Sequence, residues 1–256
     1  MTLLAASAAP VAAADDPVVP RFAEVTATSG VAHVYDGEWQ HFVGGGVAVF
    51  DCDDDGRPEL WLAGGTNAAT LWHNESATAG AIAFSRIEDP ATDVRRATGA
   101  YPLDIDGDGL TDLAVLRVGE DLLLRGLGDC RFERANERWG FDGGDQWTTA
   151  FAATWEDGAS LPALAFGSYV DLTDSTKRIG SCAYHRLFRP RPGETTYRDP
   201  LLLTPGYCAL SMLFSDWSRT GRRDLRVSND RHYAPAGQEQ LFRFADRKST
   251  RLNSSH

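Results

Sequence analysis

The fold of this chain is decided by residues 47–62, which read VAVFDCDDDGRPELWL. Two short apolar runs flank an acidic loop with carboxylates at loop positions 1, 3, 5 and 9 and a glycine at position 6. The same arrangement returns in residues 101–116, YPLDIDGDGLTDLAVL, where Asp104 begins the loop 53 residues after Asp51. Self-similarity at a fixed period is typical of repeat proteins, so the chain is interpreted first as a set of repeats.

Two further copies are weaker. Residues 154–166, TWEDGASLPALAF, keep the apolar flanks but retain only Asp157 of the ligand carboxylates; residues 212–227, MLFSDWSRTGRRDLRV, retain two carboxylates and two hydroxyls. A period of about 50 to 60 residues suits one four-stranded blade of a β-propeller. No long stretch shows the 3.6-residue apolar period of an amphipathic helix. The sequence therefore predicts an all-β fold, a partial β-propeller with about four blades visible.

The two strong loops have the spacing of a divalent-cation site, because D-x-D-x-D-G-x-x-[DE] matches the first three-quarters of an EF-hand loop. Calcium accepts several hard oxygen ligands in flexible geometry, whereas magnesium demands a tighter octahedron. The predicted calcium ligands are the side chains of Asp51, Asp53, Asp55 and Glu59 with the Arg57 carbonyl, and the side chains of Asp104, Asp106, Asp108 and Asp112 with the Leu110 carbonyl. The alternative is a pair of solvated acidic turns.

A weaker calcium site is predicted in the fourth copy, where the candidate ligands are Asp216, Ser218, Thr220 and Asp224. Fewer carboxylates lower calcium affinity. Three nearby arginines, at positions 219, 222 and 223, would lower it further. The alternative is a hydrogen-bonded Asx or Ser turn. The third copy departs too far from the pattern for a site to be expected.

The repeats resemble the FG-GAP/VCBS repeat of calcium-binding β-propellers, and more narrowly the secreted proteins similar to cartilage acidic protein. Beside the loops, the resemblance rests on the segments 22–26, 44–49, 71–74, 128–132 and 229–233, and it covers roughly residues 22–245. It implies a calcium-binding propeller domain over residues 15–245. It also implies that this domain is part of a larger ring.

The two ends are expected to lie outside the domain. Residues 1–14 resemble the end of a secretory signal peptide, with Ala12-Ala13-Ala14 as a small-x-small cleavage site but no cationic segment. The alternative is an Ala-rich leader. The last eleven residues, 246–256, resemble a translated sequencing-library adapter, against the alternative of a native basic tail. Export would place the protein outside the cytoplasm: secreted, periplasmic or at the cell surface.

The net charge and the cysteines limit the classes of binding partner and the cellular compartment that are expected. The net charge of −11 disfavours binding to nucleic acid and to anionic membranes. The sequence contains no run of 18 apolar residues, so no membrane span is predicted. An exported chain can form disulfides. Cys182 and Cys208 are the first candidate pair and Cys52 and Cys130 the second; four cysteines allow three connectivities, and free buried thiols are the alternative.

No catalytic residue is assigned, since the zinc-protease, nucleophile-elbow and Walker motifs are absent from the sequence. The best polar pair for catalysis is Asp230 with His232, but the preferred interpretation of this segment is a surface hairpin. The set Trp39, His41, Trp72, Trp147, Trp155 and Trp217 is interpreted as packing between blades rather than a carbohydrate-stacking face. The glycines 44–46 are interpreted as a tight backbone approach. The predicted function is an exported scaffold for protein or glycan partners with structural calcium; the alternative is a propeller-type polysaccharide lyase or hydrolase.

Overall fold

The computed structural model describes residues 19–42, 45–174, 181–230 and 239–244. Within these ranges the secondary structure is antiparallel β-sheet, apart from a four-residue helical turn, α1 (Thr26–Ser29), and a 3-10 turn at Trp39–His41. No helix in the described ranges is long and apolar enough to cross a membrane. The predicted all-β fold is therefore confirmed.

The strands form four successive sheets and one short hairpin, and hydrogen bonds make the second and third sheets one continuous eight-stranded sheet. The first sheet contains β1 (Val47–Phe50), β2 (Glu59–Leu62), β3 (Thr70–Asn74) and β4 (Phe84–Ile87). The second contains β5 (Ala97–Leu103), β6 (Asp112–Gly119), β7 (Leu122–Gly126) and β8 (Phe132–Arg134). The third contains β9 (Gln146–Thr154), β10 (Ala163–Ser168), β13 (His185–Phe188) and β14 (Leu201–Leu203), with the hairpin β11 (Val170–Asp171) and β12 (Ser181–Cys182) between its strands. The fourth contains β15 (Ala209–Ser215), β16 (Asp224–Asn229) and β17 (Gln240–Phe242).

In every sheet the strands pair in chain order, and each pair is antiparallel. The first strands of successive sheets lie side by side: β1 contacts β5, β5 contacts β9, and β9 contacts β15. The second and third sheets are also joined through Val118 paired with Trp147. Consecutive four-stranded meanders with their first strands gathered together are the arrangement of propeller blades. The described residues thus form four blades of a partial β-propeller.

The core lies between the blades, and burial follows from that placement. β6 and β10 are buried along almost their whole length, because neighbouring blades cover both of their faces. β1 alternates exposed and buried residues, because only one of its faces is packed. Aromatic rings fill the space between the second and third blades, where Phe141, Phe166 and Phe188 lie with centroids 4.7–5.9 Å apart.

The first strands approach closely enough to require glycine. Gly46 N–H donates to the Thr98 carbonyl at 3.2 Å, and a Cβ on Gly46 would lie 2.9 Å from Gly99 Cα. The predicted tight backbone approach is therefore present at Gly46. Some of the sequence-based predictions fall outside the described residues: they concern Gly44, the proposed leader 1–14, the proposed tail 246–256 and His232.

Candidate functional site

The loops between the first and second strands have the same length and register in all four blades. Each joins the first strand to the second, and we number loop positions from the first residue after the first strand: the first loop is 51–59, the second 104–112, the third 155–163 and the fourth 216–224. In each case the last residue of the first strand pairs with loop position 9. These pairs are Phe50 with Glu59, Leu103 with Asp112, Thr154 with Ala163, and Ser215 with Asp224.

The aspartate at position 1 shapes the turn. The Asp51 carboxylate accepts the Gly56 N–H at 2.8 Å, and the Asp104 carboxylate accepts the Gly109 N–H at 3.0 Å. The Asp216 carboxylate accepts hydrogen bonds from the fourth loop in the same way. The glycine at position 6 has a φ of +79° in the first loop and +85° in the second, a left-handed conformation that side chains rarely adopt. The spacing D-x-D-x-D-G therefore encodes a specific turn.

Each strong loop gathers carboxylates. Oxygens of Asp51, Asp53 and Glu59 lie within 4.8 Å of one another, and so do oxygens of Asp104, Asp106 and Asp108. Three like charges at such distances repel unless a cation lies among them. Of the other side chains predicted as ligands, Asp55 lies in a second group with Asp53 and His73, and Asp112 is turned towards the backbone as described next.

In the first two loops the acid at position 9 is buried and accepts hydrogen bonds from the backbone of the loop and of the third strand. Glu59 accepts the N–H of Cys52 at 2.9 Å and of Asn74 at 3.3 Å. Asp112 accepts the N–H of Ile105 at 2.7 Å and of Gly126 at 2.8 Å. Burial raises the pKa of Asp112 to about 7, and burial also raises the pKa of Glu59. The acid at position 9 thus ties the loop to the third strand, a role that the sequence analysis did not predict.

Basic side chains from the third strand reach the loops. His73 Nε2 lies 2.9 Å from Asp53 Oδ2. Arg125 Nε lies 3.0 Å from Asp106 Oδ2, and Arg125 Nη2 lies 2.5 Å from Asp108 Oδ2. These residues were missed in the sequence analysis. Arg57, predicted as a carbonyl ligand, also pairs its guanidinium with the Asp55 carboxylate.

The first two loops fit a calcium ion by the chemistry of their donors. In the groups Asp51–Asp53–Glu59 and Asp104–Asp106–Asp108 every side chain offers carboxylate oxygens, the hard ligands that calcium prefers. Asp106 Oδ1 is buried and has no hydrogen-bond partner in the described part of the chain, which leaves one oxygen of the second cluster unsatisfied. Asp51, Asp53 and Glu59 would hold an ion in the first loop, and Asp104, Asp106 and Asp108 in the second.

The third and fourth loops differ. In the fourth, the hydroxyls of Ser218 and Thr220 lie 3.1 Å apart and Asp224 Oδ1 accepts the Phe244 N–H, which are features of a hydrogen-bonded turn. In the third, Glu156 pairs with Arg189 at 2.6 Å. Among the described residues, neither loop forms a group of three acidic, histidine or cysteine ligands.

Two disulfides join neighbouring parts of the propeller. Cys52, at position 2 of the first loop, is bonded to Cys130 in the turn between β7 and β8. Cys182, in β12, is bonded to Cys208, which directly precedes β15. These are the two pairings that the sequence analysis favoured. The first links blades one and two beside the first loop, and the second links blades three and four.

The remaining candidates that the structure describes do not form one surface. Trp72 and Trp147 are buried, whereas Trp155 is 50% and Trp217 is 67% exposed. His41 is buried as well, and Trp39 packs edge-on against Trp147. The Asp230 carboxylate accepts a 2.6 Å hydrogen bond from the Tyr169 hydroxyl. This hydrogen bond gives Asp230 a structural contact within the fold.

Comparisons with known proteins cover part of this chain. Residues 51–115, which contain the first two loops, match the family model of the FG-GAP-like repeat. A search of curated proteins gave no match. A solved structure, described as the crystal structure of BBS1N in complex with ARL6DN, soaked with lead, is similar at 13% identity and a TM-score of 0.43. That alignment covers 84% of this chain and 56% of that one, so this chain spans little more than half of its length.

Proposed function

We propose that this protein is an exported scaffold whose FG-GAP repeats bind calcium, and that the calcium stabilises the propeller rather than taking part in catalysis. The observation that carries the proposal is a carboxylate cluster in the same loop of two successive blades; both clusters contain loop positions 1 and 3, and the third member is position 9 in the first loop and position 5 in the second. Both clusters fall within the residues that match the FG-GAP-like repeat. A single acidic turn would be weak support, whereas two built to the same register make a common ligand the simpler explanation.

A structural role for the ion follows from what the loops connect. Each loop joins the first two strands of a blade, and its position 9 binds the backbone of the third strand. In the first loop Glu59 belongs both to the cluster and to this contact, so an ion there would hold three strands of the blade together. It would also offset part of the net charge of −11. Binding to the folded state alone stabilises by RT ln(1 + [L]/Kd), about 3 kcal/mol per site at a hundredfold excess over Kd.

The proposals on location and partners have separate support. Two disulfides suit an oxidising compartment outside the cytoplasm. Exposed aromatic side chains such as Trp155 and Trp217 suit contact with a protein or glycan partner. The acidic composition disfavours nucleic acid as that partner.

The test is calcium titration of the full chain by calorimetry, with thermal melting in calcium and in chelator. We expect two ions to bind and the melting temperature to rise with calcium. Asp53→Asn and Asp106→Asn should each weaken or remove one binding event. Asp157→Asn is the matched control, because the third loop has no carboxylate cluster. A folded chain that binds no calcium would contradict the proposal.

A further inference from the structure

The residue that faces loop position 9 across the sheet is basic in every blade. The register of the second and third strands pairs Leu60 with Trp72, Leu113 with Leu124, Leu164 with Phe188, and Leu225 with Phe242. In each pair the first residue directly follows loop position 9. Because the strands are antiparallel, the third-strand residue that follows the second member of the pair faces position 9. The four residues at this facing position are His73, Arg125, Arg189 and Arg243.

In three blades the facing residue contacts an acidic side chain of its own loop. His73 lies against Asp53 of the first loop at 2.9 Å. Arg189 lies against Glu156 of the third loop at 2.6 Å. Arg125 contacts the second loop most extensively, through two separate nitrogen atoms. The contact between the facing residue and its own loop therefore recurs in three blades. It is made even in the third loop, which lacks the carboxylate cluster.

The second loop is held more tightly by its facing residue than the first. Arg125 binds Asp106 and Asp108, two of the three carboxylates in the second cluster, whereas His73 contacts one carboxylate, that of Asp53, within 3 Å. A guanidinium stays protonated in proteins, so the charge of Arg125 is permanent. The Arg125 side chain is only 20% exposed, which reduces screening of the pair by solvent.

We propose that Arg125 is an internal counter-ion that competes with calcium for Asp106 and Asp108. The second loop then binds calcium more weakly than the first, and part of its negative charge remains compensated when calcium is scarce. The inference rests on the proposed calcium function for its ligand. It adds that the loops are unequal and names the side chain responsible.

The test uses two full-chain proteins in which the first loop is disabled, Asp53→Asn alone and Asp53→Asn with Arg125→Gln. Calorimetry then reports the second loop. Removing charge-assisted hydrogen bonds that calcium must otherwise displace should tighten its binding by about tenfold or more. In chelator, Arg125→Gln should lower the melting temperature, and calcium should restore it. The control is Asp53→Asn with Arg131→Gln, which removes the same charge from a side chain that is 66% exposed.

The outcomes separate this inference from the proposed function. Tighter calcium binding with Arg125→Gln but not with Arg131→Gln supports the counter-ion. Unchanged or weaker binding with Arg125→Gln, in a chain that binds calcium, overturns the counter-ion and leaves the calcium scaffold intact. Absence of calcium binding by the folded wild-type chain and by all variants overturns both.

Discussion

Glu59 and Asp112 occupy the same position in successive blades, and each is fully buried with its carboxylate divided between two backbone N–H groups. One of these N–H groups belongs to the loop and the other to the third strand. The acid at position 9 is therefore part of the internal frame of the blade. Its replacement should affect folding even where no metal is bound.

Glu59→Ala should destabilise the protein by about 2 to 4 kcal/mol, because two half-buried N–H groups lose their acceptor. Urea denaturation in chelator measures this effect without a contribution from calcium. Glu59→Gln keeps one carbonyl acceptor and should cost less. Glu137→Ala, at an exposed position, is the control and should change stability by less than about 0.5 kcal/mol. Equal effects of Glu59→Ala and Glu137→Ala would contradict the assigned role.

Gly46→Ala should destabilise the protein by about 1 to 3 kcal/mol, because the new Cβ would lie 2.9 Å from Gly99 Cα and 3.2 Å from the Thr98 carbonyl oxygen. The neighbouring change Gly45→Ala is a matched control, since its Cβ would meet nothing closer than a Tyr35 ring atom at 3.7 Å. Thermal melting of the two variants makes the comparison. If both melt like the wild type, the first two blades are not packed as closely as described.

Loss of the Cys52–Cys130 disulfide should cost more than loss of Cys182–Cys208. The two bonds close segments with sequence separations of 78 and 26, and the chain-entropy model assigns them about 4.5 and 3.5 kcal/mol. The double variants Cys52→Ser/Cys130→Ser and Cys182→Ser/Cys208→Ser should be compared by chemical denaturation. The reverse order would show that strain or denatured-state structure outweighs loop closure.

Acid should destabilise the protein partly through His185. Burial lowers the pKa of His185 to about 4, below the ordinary value of 6.5. The unfolded chain therefore binds more protons than the folded chain between pH 4 and 6.5, and stability falls as the pH is lowered through that window. The contribution is about 3 kcal/mol. His185→Asn, which can keep an acceptor for the Ser168 N–H, should reduce the loss between pH 7 and pH 4; an unaltered pH profile would refute the assignment.

The turns of the loops could be predicted from sequence because they are local. Asp51 and Gly56 lie five residues apart, and the carboxylate of one accepts the N–H of the other. The apolar runs on either side predicted the flanking strands β1 and β2. A local motif of this kind carries its own hydrogen-bond partners, so one stretch of sequence is enough to identify it.

The contacts of Arg125 and His73 could not be predicted from spacing. His73 lies 14 residues after Glu59, whereas Arg125 lies 13 after Asp112, because β2 and β3 are joined by a longer connection than β6 and β7. The contact depends on pairing register, which the length of that connection changes. The tryptophans were ambiguous for another reason, because tryptophan suits both a core and a binding surface. Trp147 is buried in the structure, whereas Trp217 is exposed.

The all-β class, the repeat and the acidic turns follow from the sequence alone, because each depends on periodicity or on hydrogen bonds within one loop. The tertiary structure decided which carboxylates cluster, that Glu59 and Asp112 are buried, and that Arg125 lies against the second loop. These properties arise when a third strand pairs beside the loop and neighbouring blades exclude water. Pairing and exclusion of water join residues that are distant in sequence, and no single segment of the chain encodes them.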